Sequence, residues 1–253
     1  MALDWAKKMR LLIIGGGVLV LLVVIGSTVL AFVYKVPSCT DKAQNQKEAG
    51  VDCGGPCTYL CTAQVGAPNV LFARALELPG GRTDVVAYIQ NPNKLAEAKN
   101  VPYTLELYAA DATLLGRVPG FMDLPAGKMT PLFIRAAAQG SNVTRAFINF
   151  APEKISWKSV KSEYPVPRAL ESVLTEGENP RVSAKLSNET YDPMYDIRSV
   201  AVVFDSEGTA IAASETLVPS IRAQSVVPIT FTWNEPFLRA PARIEVIPVV
   251  PLI

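Results

Sequence analysis

The stretch VVAYIQNPN at residues 85–93 and its counterpart VSAKLSNET at residues 182–190 decide how this chain folds. Each opens as a run of strand-forming residues and closes on an asparagine among turn residues, so each reads as a strand entering a tight turn. Asn91 and Asn188 stand 97 positions apart (188 less 91); Pro131 and Pro228 repeat that offset, as do Gly80 and Gly177. Tyr108 in LELYAADATLL and Phe204 in AVVFDSEGTAI fall at 96 (204 less 108), one residue out of register. Four anchors in one order at nearly one spacing mark two copies of one domain, over residues 67–160 and 161–253.

Within each copy the hydrophobic period is two. Val85 to Ile89, Tyr103 to Tyr108, Leu132 to Arg135 and Phe147 to Phe150 read as strands in the first. Val182 to Leu186, Ser199 to Phe204, Ile229 to Trp233 and Ile244 to Val249 repeat the plan in the second. Short strands, turn residues between them and no sustained helical period argue for antiparallel β-sandwiches. Asp205-Ser206-Glu207-Gly208 is a hairpin signal, because Gly208 can take the positive φ such a turn needs. Trp157 and Trp233 occupy strand positions where a large aromatic closes a sandwich core. Lys161 to Pro180, with its prolines and glycine, reads as an inter-domain hinge plus the first strand of the second copy.

This plan resembles the Ig-like family known as FxLYD and, more loosely, the desiccation-protein-like β-sandwiches. The shared pattern is a strand, an Asn-rich turn, a strand ending in an aromatic and a D-x-x-G hairpin. Asn188, Phe204, Asp205 and Gly208 carry it in the second copy. The first copy departs from it, with Ala109 and Ala112 in place of Asp205 and Gly208, which weakens the hairpin expectation there. The resemblance implies two tandem Ig-like antiparallel β-sandwich domains, facing the envelope or secreted, with a binding or spacing role and no catalytic residues to transfer.

N-terminal to the repeats, residues 35–66 hold all four cysteines, Cys39, Cys53, Cys57 and Cys61. Gaps of 13, 3 and 3 residues are unlike the paired C-x2-4-C knuckles of zinc sites, so two disulfides in an oxidising compartment are expected, with three pairings open. Few apolar residues accompany them, and crosslinks are the physical means by which such a segment holds a shape. Thiol–disulfide exchange through Cys53 and Cys57 is a minor alternative, since no βαβ context surrounds them. Asp41, Asn45, Glu48 and Asp52 have the chemistry but not the spacing of an EF-hand calcium loop, and read as a solvated polar loop. The pattern C-x5-N-x2-E-x-G-x-D-C-G-G-x-C-x3-C, carried by Cys39, Asn45, Glu48, Gly50, Asp52, Cys53, Gly54, Gly55, Cys57 and Cys61, resembles a cysteine motif of bacterial surface proteins. That resemblance implies a structural module placed beside a membrane anchor or between surface domains.

Residues 11–34, LLIIGGGVLVLLVVIGSTVLAFVY, are uncharged and as a helix would span roughly 36 Å at ~1.5 Å per residue, enough to cross a bilayer. The run is longer than a cleavable signal core and exits through Phe32, Val33 and Tyr34, so retention as a signal-anchor is expected. Lys7, Lys8 and Arg10 within residues 1–10 place the N-terminus in the cytoplasm and the repeats outside it.

The chain has 24 Lys plus Arg, 23 Asp plus Glu and no histidine. Near-neutral charge argues against a nucleic-acid partner, and the missing histidine removes the commonest general base and metal ligand. No catalytic, cofactor-binding or metal residue is expected. The sequons at Asn142 and Asn188 are read as turn residues, and Ser214 with Glu215 as solvated surface. The expected function is a single-pass, membrane-anchored extracytoplasmic binding or spacer protein, partnered by an envelope protein or glycan. The alternative is a bitopic structural subunit of a larger envelope assembly.

Overall fold

The computed structural model describes residues 5–33, 37–140 and 142–252. The chain divides into two compact units, one ending at Cys57 and one beginning at Thr58. Tyr34 and Lys35, which belong to the expected span and its exit, lie outside the described residues.

In the first unit, helix α1 runs Trp5–Val33. It is long and apolar enough to cross a membrane over Lys7–Phe32. It starts earlier than the uncharged run because backbone hydrogen bonding, not side-chain polarity, sets where a helix begins. Its two hydroxyls are satisfied internally: Ser27 Oγ donates to the Val24 carbonyl at 3.0 Å and Thr28 Oγ1 to the Ile25 carbonyl at 3.1 Å. Such back-bonding is what a polar side chain needs where no water is at hand.

The second unit holds thirteen described strands. β1 (Asn69–Leu78), β2 (Arg82–Gln90), β3 (Ala96–Tyr108), β4 (Leu114–Leu124), β5 (Met129–Gln139), β6 (Arg145–Phe150) and β7 (Trp157–Ser159) come from the first repeat. β8 (Arg168–Thr175), β9 (Arg181–Asn188), β10 (Met194–Phe204), β11 (Ala210–Ile221), β12 (Ser225–Thr232) and β13 (Arg243–Val249) come from the second. All pairings are antiparallel, in sheets β4-β3-β6 with β7 on β3, β1-β2-β5, β11-β10-β13 and β12-β9-β8. Two sandwiches follow a single N-terminal apolar helix, and the chain is mainly β.

Alternation along the central strands shows how these sheets stack. In β2, Val85, Ala87 and Ile89 enter a core with Leu105, Leu107 and Ile148 of the opposite sheet. In β10, Ala201 and Val203 enter a second core with Leu186 and Phe231. The remaining faces, Val86 and Tyr88 on β2 and Val200, Val202 and Phe204 on β10, meet each other in a third core. The β2 and β10 sheets therefore lie back to back as the inner pair of four layers. Strands buried on both faces read as unbroken apolar runs, which is why VVAYI and VAVVF look as they do.

The third core joins the repeats. Tyr88 and Phe204 ring centroids are 6.3 Å apart, Phe72 packs on both, and the Tyr88 hydroxyl donates to Glu245 Oε2 at 2.8 Å. Burial pushes the Tyr88 phenol well above its ordinary range, opposed in part by the nearby Arg243 guanidinium. The Lys161–Pro180 stretch contributes β8, and the shared core removes the freedom a hinge would need.

Asn91 and Asn188, the anchors of the duplication, do the same work. Both are buried. Asn91 Nδ2 reaches the carbonyls of Ala96, Leu124 and Pro125 at 2.8, 3.2 and 2.9 Å, and its Oδ1 accepts from the Asn93 amide. Asn188 Nδ2 reaches those of Asp192, Ile221 and Arg222 at 2.8, 3.2 and 3.1 Å, and its Oδ1 accepts from the Thr190 amide. Each amide ties the turn after one strand to the turn between two others by donating to carbonyls of both.

The hairpins also correspond, despite their different residues. Ala109 and Asp205 each donate to a Thr carbonyl four residues on, at 2.9 and 3.0 Å, and Ala112 and Gly208 sit at φ 65° and 76°. The first copy thus forms the same hairpin without the glycine, its Asp111 carboxylate accepting from the Thr113 amide. Left-handed backbone is unfavourable at alanine. Ala112→Gly is therefore expected to stabilise the protein by about 0.5–1 kcal/mol, read as a raised urea midpoint at unchanged slope. A lowered midpoint would show that the turn gains something from the methyl group.

Four strands were not legible as such in the sequence. β4 carries Gly116, Pro119 and Gly120, and β11 carries Pro219; both are edge strands, where a missing N–H is tolerated. A Cβ at Gly120 would lie 2.3 Å from Tyr103 Cζ, so a larger residue there would have to turn that ring aside. β1 and β7 were masked by their irregular or short patterns.

Candidate functional site

Cys39 and Cys57 form a disulfide with Cα atoms 5.7 Å apart, and Cys53 and Cys61 form the second. The four cysteines thus pair first with third and second with fourth. Carboxylates brace the intervening loop. Asp52 accepts from the Lys42 amide at 3.0 and 3.1 Å, Asp41 Oδ1 from the Ala43 amide at 2.9 Å, and Glu48 Oε2 from the Asn45 and Asp52 amides at 3.3 Å each. Asp41, Glu48 and Asp52, three of the four residues considered for calcium, thus accept from backbone N–H groups and act as loop staples.

Glu48 is buried, and its Oε1 lies 3.2 Å from Cys57 Sγ. Cys39 Sγ joins the same cluster, all within 4.8 Å, but both sulfurs are committed to the disulfide. A negative charge at that distance opposes an incoming thiolate and the thiolate that would leave. Glu48→Gln is expected to speed dithiothreitol reduction of Cys39–Cys57 by about 3- to 10-fold and to flatten its dependence on ionic strength. Quenched alkylation followed by mass measurement gives the rate; an unchanged rate and salt response would remove the charge from the explanation.

The second candidate is a groove of about 530 Å³ in the Thr58–Ile253 unit, where the two sandwiches diverge beyond their shared core. One wall is the end of β1, Leu76 to Leu78. The floor is set by Asp84, a buried carboxylate that pairs with Arg82 at 3.2 Å and accepts from the Ala136 amide at 2.7 Å. Ala136 is at φ 51°, beside the register shift between β2 and β5, so Asp84 holds a bulge in place and aims Phe133 and Arg135 into the groove.

The opposite wall is β11 from Ile211 to Glu215 together with residues 233–238 after β12. That segment is irregular, β12 having ended at Thr232, whereas the corresponding stretch of the first repeat prolongs β5 to Gln139. It is nonetheless well held. Trp233 N–H bonds the Pro180 carbonyl at 3.0 Å, its indole Nε1 donates to the Ala213 carbonyl at 3.2 Å, and Phe237 stacks edge-on at 5.2 Å. Arg239 donates to Asp205 Oδ2 at 3.1 Å. The Thr209 amide first, with Arg239 and the Glu207 amide, holds the Asp205 carboxyl below the usual range. Desolvation pushes the Glu215 carboxyl up, opposed by Arg198.

Trp157 and Trp233 are core residues of the first and second sandwich, and Trp233 also backs the groove. Ser214 and Glu215, read from sequence as plain surface, line it. No motif marked them, since the groove is assembled from residues more than a hundred positions apart. The unbroken apolar runs VVAYI and VAVVF are the one sequence signal that could have pointed to a junction between repeats.

No protein-family model and no curated protein matches the chain. Among solved structures, a red sea bream transglutaminase aligns over 75% of this chain at 12% identity and a TM-score of 0.23. The chain spans about a third of that protein's length, 32%. The tandem CBM22-1–CBM22-2 domain of Paenibacillus barcinonensis Xyn10C aligns over 74% of this chain and 84% of its own, at 9% identity and a TM-score of 0.17. Likenesses this distant carry no argument about function.

Proposed function

We propose that the protein is a single-pass, membrane-anchored binding protein of the cell envelope, which holds a partner in the groove between its sandwiches and catalyses no reaction. The observation that carries this reading is the third core. It packs the two repeats into one compact unit, so the groove has walls in place before any ligand arrives, and a preformed cleft loses less entropy on binding. The apolar helix, the basic residues in its first turns and two disulfides favour an anchored protein whose cysteines meet an oxidising compartment. The resemblance to FxLYD-type sandwiches points the same way.

The reading is tested by photocrosslinking the full chain in the membranes of an expressing bacterium, with the probe at Leu238 or at Val173. Both are exposed, at 80% and 59%, but only Leu238 lines the groove. A discrete adduct from Leu238 and none from Val173 is expected. In the same cells an impermeant maleimide should label the cysteines only after external reduction. Adducts from both sites or from neither, or labelling that requires lysis, would overturn the proposal.

A further inference from the structure

We infer that the occupant of the groove is an extended polypeptide segment bearing Lys or Arg beside apolar side chains, added along the free edge of β1; this rests on the binding role proposed above. Charge is the first observation. Glu77, Glu215 and Glu235 line the groove against Arg135, and none of these four forms an ion pair among the described residues. Arg82 is neutralised by Asp84 beneath it. The open lining is thus acidic, with apolar surface from Leu78, Phe133, Phe237 and the exposed Leu238 between the carboxylates.

The second observation is the edge. Among the described residues β1 pairs with β2 on one side and with no strand on the other, so along Leu76 to Leu78 the groove wall has a strand edge without a described ladder partner. A second hollow of about 310 Å³ shares Leu76, Glu77, Ile211 and Leu238 with the first and continues along β1 to Arg74. A chain added there satisfies backbone groups while alternate side chains face the carboxylates, as in strand addition generally. Arg74 stands at the far end, so the ligand's cationic residues are directed to the first hollow. A neutral glycan fits less well, because Trp233 is only 9% exposed and its indole N–H is already given to Ala213.

The test uses the full chain in dodecyl maltoside and two fluorescein-labelled peptides, Ac-KLKVKLKV-amide and Ac-ELEVELEV-amide, read by anisotropy against empty micelles. Saturable binding of the lysine peptide alone is expected, with hydrogen exchange slowed at Leu76 to Leu78. A Glu215→Lys, Glu235→Lys variant, altered at two solvent-exposed residues and checked for an unchanged melting temperature, should bind that peptide at least roughly tenfold more weakly. Equal binding of both peptides, an affinity unchanged by the charge reversal, or competition by cellohexaose instead would overturn the inference. If a Leu238 photoadduct forms while the lysine peptide fails, the binding role stands and this inference alone falls.

Discussion

Phe204→Ala is expected to cost about 3–5 kcal/mol, and to turn one cooperative unfolding transition into two. Phe204 is 3% exposed, at the centre of the core shared by the repeats. Its ring meets Phe72 and Tyr88 edge-on, with centroids 6.2 and 6.3 Å away, and carries the Arg243 guanidinium 4.1 Å above its centroid. Truncation removes the packing and leaves a void between two packed sheets, which relax into it only partly. Each sandwich keeps its own core, so the loss falls mainly on their coupling. Urea unfolding followed by hydrogen exchange with mass spectrometry resolves the repeats. Phe147→Ala, on the solvated face of β6 and half exposed, serves as the control and should cost under about 1 kcal/mol. A single transition in Phe204→Ala, shifted no further than the control, would mean that the third core contributes little.

At Asn188 the expected order is unusual for so small a change: Asn188→Asp should be more damaging than Asn188→Ala. The side-chain amide faces three carbonyl oxygens, and its removal forfeits those bonds for about 2–3 kcal/mol, with Thr190 Oγ1 still reaching the Asp192 carbonyl and Ser225 Oγ that of Arg222. Aspartate is nearly isosteric but puts an acceptor where the donor stood, adding repulsion to the lost bonds. Stability should therefore fall from wild type to Ala to Asp, with the gap between Ala and Asp narrowing at acidic pH as the new carboxylate protonates. Asn142→Asp, at an exposed position, should lie within about 0.5 kcal/mol of wild type. Measured urea midpoints that place Asp above Ala would refute the assignment of Asn188 as a donor to three carbonyls.

Features set by local chemistry were the ones legible in the sequence. Asn91 and Asn188 located the repeats, and Asp205 with Gly208 located a hairpin, because turns and strand periods depend on neighbours a few residues away. The same dependence explains the gaps. Ala109 and Ala112 form a hairpin that their residue types disfavour, held by pairing between the flanking strands. The prolines of β4 and β11 argue against strands until it is known that both lie at sheet edges.

By itself the sequence determined an apolar helix of membrane-crossing length, a duplicated β domain, clustered cysteines and the absence of histidine chemistry, all properties of composition and short-range order. Only the tertiary structure decided that VVAYI and VAVVF turn their second faces toward each other. It likewise decided that the cysteines pair first with third and second with fourth, and that Leu76, Asp84, Glu215 and Leu238 converge on one groove. The physical reason is that an alternating strand specifies two faces but not what covers them. Contacts between residues more than a hundred positions apart depend on how whole sheets pack, which no local pattern encodes.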